Sequence, residues 1–170
     1  IIFFSCIFTN TPFDGLTLIT KKGSSPYYSI LIDNEKNIVN QWNFYSTPAS
    51  IAYLMPDSSL ILPCKLGQTD YGAQGGTIIR YDWSGEIIWE YSFNENEYIP
   101  HHDIHPLKNG NILVIAWELK TIDEALSMGR INIEGPMSSL VILEIVPIGT
   151  SDAEIIWEWH AWDHLIQDVY

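Results

Sequence analysis

Short apolar runs with a period of two, broken by acidic or glycine-containing turns, recur along the chain and predict strands joined as hairpins. Residues 28–44 read as a strand, a turn through Asp33-Asn34-Glu35-Lys36-Asn37, and a second strand carrying Trp42. Residues 77–91 repeat this phrase with a turn at Asp82-Trp83-Ser84-Gly85 and a tryptophan at Trp89. A third copy spans 140–159, with a longer turn around Gly149 and a tryptophan at Trp157. A second kind of hairpin alternates with the first, over 50–62 and again over 103–113. The later one turns at Lys108-Asn109-Gly110-Asn111, where the Asn-Gly pair predicts positive φ at both central residues.

One hairpin of each kind gives a four-stranded unit of about 45–50 residues, the length of a propeller blade. The pattern therefore predicts an all-β chain: a partial β-propeller of about two and a half to three four-stranded blades. The expected blade units fall near 15–45, 49–93 and 100–161. A β-sandwich is the competing architecture, but it gives no reason for a repeat of this length. One interruption stands out in the third unit. Thr121 followed by Glu124 is a capping-box pattern and Gly129 is a helix-ending residue, so a short inserted helix is expected near 122–128. The glycine-rich stretch 67–76 reads as a loop; no Gly-Lys-Ser/Thr follows it, as a phosphate loop requires. So few blades cannot close a ring, which leads to the expectation that the chain is a fragment of a longer protein.

Charge narrows the partners. The chain has 21 acids against 8 Lys and Arg, a formal net charge of −13, and lacks the clustered cations that nucleic acid requires. A hydrophobic content of 46% is ample for a buried core. The opening 1–14 begins with an apolar run that reads as the remnant of a leader peptide, which predicts an exported, periplasmic or extracellular protein. That run is too short to span a membrane. Cys6 and Cys64 form no disulfide framework.

The densest chemistry lies in His101-His102-Asp103-Ile104-His105. On an ideal strand His101, Asp103 and His105 face one way and His102 and Ile104 the other, which makes His101 or His105 the expected partner of Asp103. Three readings stay open for this run: a metal site, imidazoles hydrogen-bonded between blades, or an anion and substrate site at a channel mouth. Histidine suits the third, since it donates to an anion when charged and acts as base or nucleophile when neutral. Residues 157–165 form a second cluster, in which Trp157, Trp159 and Trp162 with His160, Asp163 and His164 could line an aromatic pocket.

Taken together, the His101-His102-Asp103 run leading into Pro106-Leu107-Lys108-Asn109-Gly110, the Gly85-Glu86-Ile87-Ile88-Trp89 hairpin and the Trp157-to-Leu165 segment resemble the bacterial arylsulfate sulfotransferases. The resemblance runs from about Gly15 to the last residue and suggests the N-terminal part of that family's propeller domain. It implies transfer of a sulfuryl group from a small aromatic sulfate donor to a phenolic acceptor through a sulfohistidine, with no cofactor. It also implies site roles for His102, His101, Asp103 and His164, with His102 matching the histidine that holds the sulfuryl oxygens or protonates the leaving phenolate. In the family the nucleophilic histidine and the sulfate-clamping arginine come from later blades. Neither Arg80 nor Arg130 accompanies a histidine here, so this chain alone is expected to be inactive. The alternative from another class is a non-catalytic propeller that binds a ligand or protein.

Overall fold

The computed structural model describes residues 13–67 and 75–164. Most of the expected leader and the middle of the glycine-rich loop lie outside the described residues.

The described chain is all-β with one isolated α-helix. Three antiparallel sheets follow one another in sequence, each with its strands in chain order. The first contains β1 (Thr17–Lys21), β2 (Tyr27–Ile32) and β3 (Ile38–Phe44). The second contains β4 (Tyr53–Leu54), β5 (Leu60–Lys65), β6 (Gly76–Tyr81) and β7 (Ile87–Ser92). The third contains β8 (Ile99–Pro106), β9 (Ile112–Lys120), β10 (Met137–Ile148) and β11 (Asp152–His160).

Four hairpins share one turn. In each, the residue opening the turn accepts a backbone hydrogen bond from the residue three further on and donates to the one after it: Asp33, Met55, Asp82 and Leu107 open them. The fourth residue is left-handed in every case, with φ of 68° at Lys36, 66° at Ser58, 91° at Gly85 and 91° at Gly110. This differs from the Asn-Gly expectation. Lys108 and Asn109 are the central pair, Gly110 follows them, and Asn109 does not have positive φ. A three-residue loop closed by a left-handed residue matches the right-handed twist of the strands it joins.

A second repeated feature lies in the last strand of each sheet. Leu31 and Ile32 face Asn40 and Ile38, Arg80 and Tyr81 face Trp89 and Ile87, and Glu144 and Ile145 face Trp157 and Ile155. One residue is thus bulged out each time, namely Val39, Ile88 and Ile156, and all three side chains are exposed. The bulges also correct the alignment of the tryptophans. Trp42 stands level with Tyr91, two residues beyond Trp89 on the same strand face, whereas Trp157 is level with Trp89.

Packing runs from sheet to sheet. Leu31, Trp42 and Phe44 of the first sheet pack with Leu60, Leu62, Cys64, Ile79 and Tyr81 of the second. The opposite face of the second sheet, through Ile61, Ile78, Trp89 and Phe93, packs on Ile104, Ile112, Val114, Val141, Leu143 and Ile145 of the third. Burial on both faces explains why β5 is apolar almost without alternation and why β6 beside it is buried nearly throughout. The sheets are also joined by indole hydrogen bonds. Trp42 Nε1 donates to the Asp82 carbonyl at 2.8 Å and Trp89 Nε1 to the Asp152 carbonyl at 2.9 Å, each reaching a turn or strand start of the next sheet. Cys64 lies wholly buried at the first junction, where desolvation pushes its thiol up to about 12.

The inserted helix α1 (Ile122–Ser127) lies where the capping box placed it. Thr121 accepts from the Glu124 backbone N–H and the Glu124 carboxylate accepts from the Thr121 N–H. Gly129 follows with φ of 90°.

Trp42 is fully buried and its indole N–H has its partner in another sheet. Trp42→Phe removes that donor and part of the contact, and is expected to cost about 2–3 kcal/mol in urea denaturation with an unchanged m-value.

Candidate functional site

The histidine run lies on β8, beside β9, and the pairing there is broken. Pro100 is opposite Ala116 and Ile104 opposite Val114, so His101, His102 and Asp103 together face the single residue Ile115. Within this bulge His102 has φ of 59°, a left-handed conformation that costs a non-glycine residue about 1 kcal/mol or more and concentrates at functional sites. The start of the bulge is pinned from the second sheet by the Gly75 N–H, which donates to the Pro100 carbonyl at 2.8 Å. A Cβ at Gly75 would lie 3.3 Å from that oxygen, so a side chain there would press the two segments a few tenths of an ångström apart.

The bulge overturns the simple alternation of an ideal strand. His101 is buried, His102 exposed, Asp103 half-buried, Ile104 buried and His105 exposed. His101 and His102, neighbours that would face apart on a regular strand, meet Nδ1 to Nδ1 at 2.7 Å. Asp103 takes its hydrogen bond from neither His101 nor His105. The Tyr53 hydroxyl, from the second sheet, donates to its Oδ2 at 2.7 Å, while its Oδ1 is buried without a partner. Burial, with the help of that bond, pushes the Tyr53 hydroxyl up to about 12. His105 lies edge-on to the Tyr53 ring.

The His101 ring stacks on Trp117 with centroids 4.0 Å apart. Desolvation, reinforced by the neighbouring His102, lowers its pKa from 6.5 to about 4, against the opposing pull of the Ala116 backbone. His101 is therefore neutral at pH 7. With its Nδ1 accepting, His102 donates from Nδ1 and presents Nε2 as the free nitrogen; in the other tautomer His102 Nε2 itself bears the hydrogen. Either arrangement fixes the His102 ring through one nitrogen and leaves the other for chemistry.

His102 lines a cleft of about 550 Å³. Two lysines share it, Lys22 just after β1 and Lys65 at the end of β5, with Thr47, Pro48 and Ala49 forming the wall between them. The wall is held by backbone bonds from Ala49 N–H to the Pro63 carbonyl and from Lys65 N–H to the Thr47 carbonyl. Lys22 Nζ donates to the Ala49 carbonyl at 3.2 Å. Among the described residues lining the cleft none is acidic, although the chain as a whole carries −13. Neither lysine stands out in the sequence. What marks them is their strand-end position, visible only once the sheet register is known.

The second cluster is separate from this cleft. His164, in a 3-10 helix over Ala161–His164, stacks on Trp159 with ring centroids 5.0 Å apart. Trp162 lies under Lys120, and Trp157 is 47% exposed. His160 is held between two carboxylates, its Nδ1 3.0 Å from Glu118 Oε2 and its Nε2 2.8 Å from Glu158 Oε2. Burial lowers its pKa, but those two carboxylates outweigh it and the net shift is upward. Among the described residues no group of three or more His, Cys, Asp or Glu side chains converges as a metal site. No helix among them is long and apolar enough to cross a membrane.

The chain is thus an all-β protein of successive antiparallel sheets that brings one held imidazole, His102, and two lysines to a cleft with no acidic side chain among its described lining residues. The sequence supplies the particular kind. Residues 14–170 match the family model described as arylsulfotransferase (ASST), and the chain belongs to that family. No curated protein and no solved structure matches it.

Because His101 has a depressed pKa in the folded protein, the unfolded chain takes up a proton as pH falls through 6.5 while the folded one does not until about 4. Its contribution to stability is thus complete above pH 6.5 and lost progressively down to about 4. Nitrogen-15 NMR of the imidazoles is expected to find His101 neutral at pH 6 and titrating near 4.

Proposed function

We propose that the three sheets are successive blades of a β-propeller and that the cleft at His102 is part of an arylsulfate sulfotransferase site. The repeated bulge, the shared hairpin turn and the indole bond from each sheet to the next support the propeller reading. The observation that carries the catalytic reading is the His101–His102 contact, which fixes an exposed imidazole by a left-handed backbone in a cationic cleft.

The reaction begins when a histidine nitrogen attacks the sulfur of an aryl sulfate and the S–O ester bond breaks. The departing phenolate needs a proton and the sulfuryl oxygens need donors, and His102 Nε2–H supplies one or the other. In the second half, the oxygen of an acceptor phenol attacks the same sulfur, the N–S bond breaks, and the phenolic proton returns to the base. His101 is a positioning residue: neutral, stacked on Trp117, it holds the His102 ring through Nδ1. Asp103 braces the bulge through Tyr53. His164 has no step in this reading. The sulfohistidine forms on a different imidazole from His102, contributed by blades of a longer parent protein, which would make the present chain inactive alone. Export from the cytoplasm belongs to the same reading and rests on the apolar opening residues together with the family.

The test is release of 4-nitrophenol from 4-nitrophenyl sulfate by the complete protein. The rate is expected to rise when an acceptor phenol is added, as a ping-pong scheme requires. His102→Asn, chosen because asparagine tolerates the left-handed backbone, is expected to lower kcat about a hundredfold or more. Unchanged turnover in that variant would remove His102 from the chemistry, and no turnover by the parent would favour a binding propeller.

A further inference from the structure

Lys22 and Lys65 occupy one and the same place in the repeat. Two residues before the bulge in each sheet, Ser29 pairs with Thr20, Ile78 with Pro63 and Ile142 with Ile115. Two residues further along those partner strands stand Lys22, Lys65 and Trp117, at the same end of the three sheets. In the third sheet this position holds the platform on which His101 stacks. In the first two it holds a lysine, and both lysines line the cleft that His102 also lines.

We propose that Lys22 and Lys65 are the anion-recruiting residues of this cleft, binding the sulfate group of an aryl sulfate in the ground state. The proposal rests on the sulfotransferase reading and names residues that do the binding. Its physical need is plain. A sulfate ester is an anion, and a chain of net charge −13 repels it at long range, so its approach requires a local patch of opposite potential. Only 8 residues of the chain are Lys or Arg, and two of them come from different sheets to this one cleft, whose described lining residues include no acid. Each ammonium group offers three donors on a compact charge, which suits three sulfuryl oxygens presented without a fixed orientation. The Ala49 carbonyl takes one donor of Lys22 and sets its direction, leaving two for the ligand. Since the ammonium groups meet the anion before the S–O bond stretches, they lower KM rather than raise kcat.

The experiment uses the complete protein and two readouts. Inorganic sulfate is titrated by calorimetry into the parent and the variants Lys22→Met, Lys65→Met and Lys65→Arg, with far-ultraviolet circular dichroism reporting the fold. Each Met variant is expected to bind sulfate about tenfold more weakly and the Arg variant to stay within about threefold, since it keeps the charge. With 4-nitrophenyl sulfate, the Met variants are expected to raise KM about tenfold at nearly constant kcat and to flatten the fall of kcat/KM with added salt. Sulfate binding unchanged in folded Met variants would overturn the proposal even if turnover persists. Lysine-dependent sulfate binding without turnover would uphold it and overturn the sulfotransferase reading instead.

Discussion

The central strands of the second sheet are covered on both faces, and the rest of the arrangement follows from that constraint. Ile61 and Ile78 turn toward one neighbour while Leu60, Leu62, Ile79 and Tyr81 turn toward the other. Each such side chain is worth about 1.5–3 kcal/mol when removed from water, so separating either neighbour would cost an amount at least comparable to the net stability of a domain. Apolar burial is not directional, and by itself it would let the sheets slide. The indole N–H groups of Trp42 and Trp89 supply the missing direction, each having one carbonyl to reach across the junction. Once the sheets are held in register, their corresponding strand ends come together, and the cleft is the space among those ends.

The site is built from departures from regular strand geometry. A straight β8 would send His101 and His102 to opposite faces, where one would be core and the other solvent. The bulge brings them into contact, buries the first against Trp117 and leaves the second open. The left-handed backbone at His102 is stabilised by neighbours rather than by its own preference: Gly75 holds Pro100 on one side, and Tyr53 holds Asp103 on the other. Such neighbours hold the ring through the protein's own contacts, and a donor to a developing charge acts best when its position is set beforehand.

Much of the scaffold was readable in the residues, and the reasons are local. Turn chemistry at Asp33, Asp82 and Asn109 and the capping box at Thr121 and Glu124 act over a few bonds, so the hairpins and helix α1 could be placed from neighbours alone. Registers were less visible. Trp42 and Trp89 look equivalent by residue type, yet they stand two positions apart once the bulges are counted. The candidate site divided in the same way. The imidazole run was conspicuous, but the bulge carries no glycine or proline within it, and the pairing of Asp103 with Tyr53 joins residues 50 apart in sequence. Lys22 and Lys65 were silent for a related reason: a lysine ending a strand is ordinary until another sheet aims its own lysine at the same space.

Cys64 turns the first junction into an optical window. Its thiol sits within the seam between the first two sheets, and its ionisation is suppressed to about 12, so a maleimide or disulfide reagent finds no thiolate while the seam stays shut. Labelling speed at Cys64, followed in a protein whose Cys6 is replaced by serine, therefore clocks the parting of those two layers, one residue away from Lys65. An anion drawn into the neighbouring groove would slow that clock, so the occupancy of the groove could be followed in a protein that never turns over.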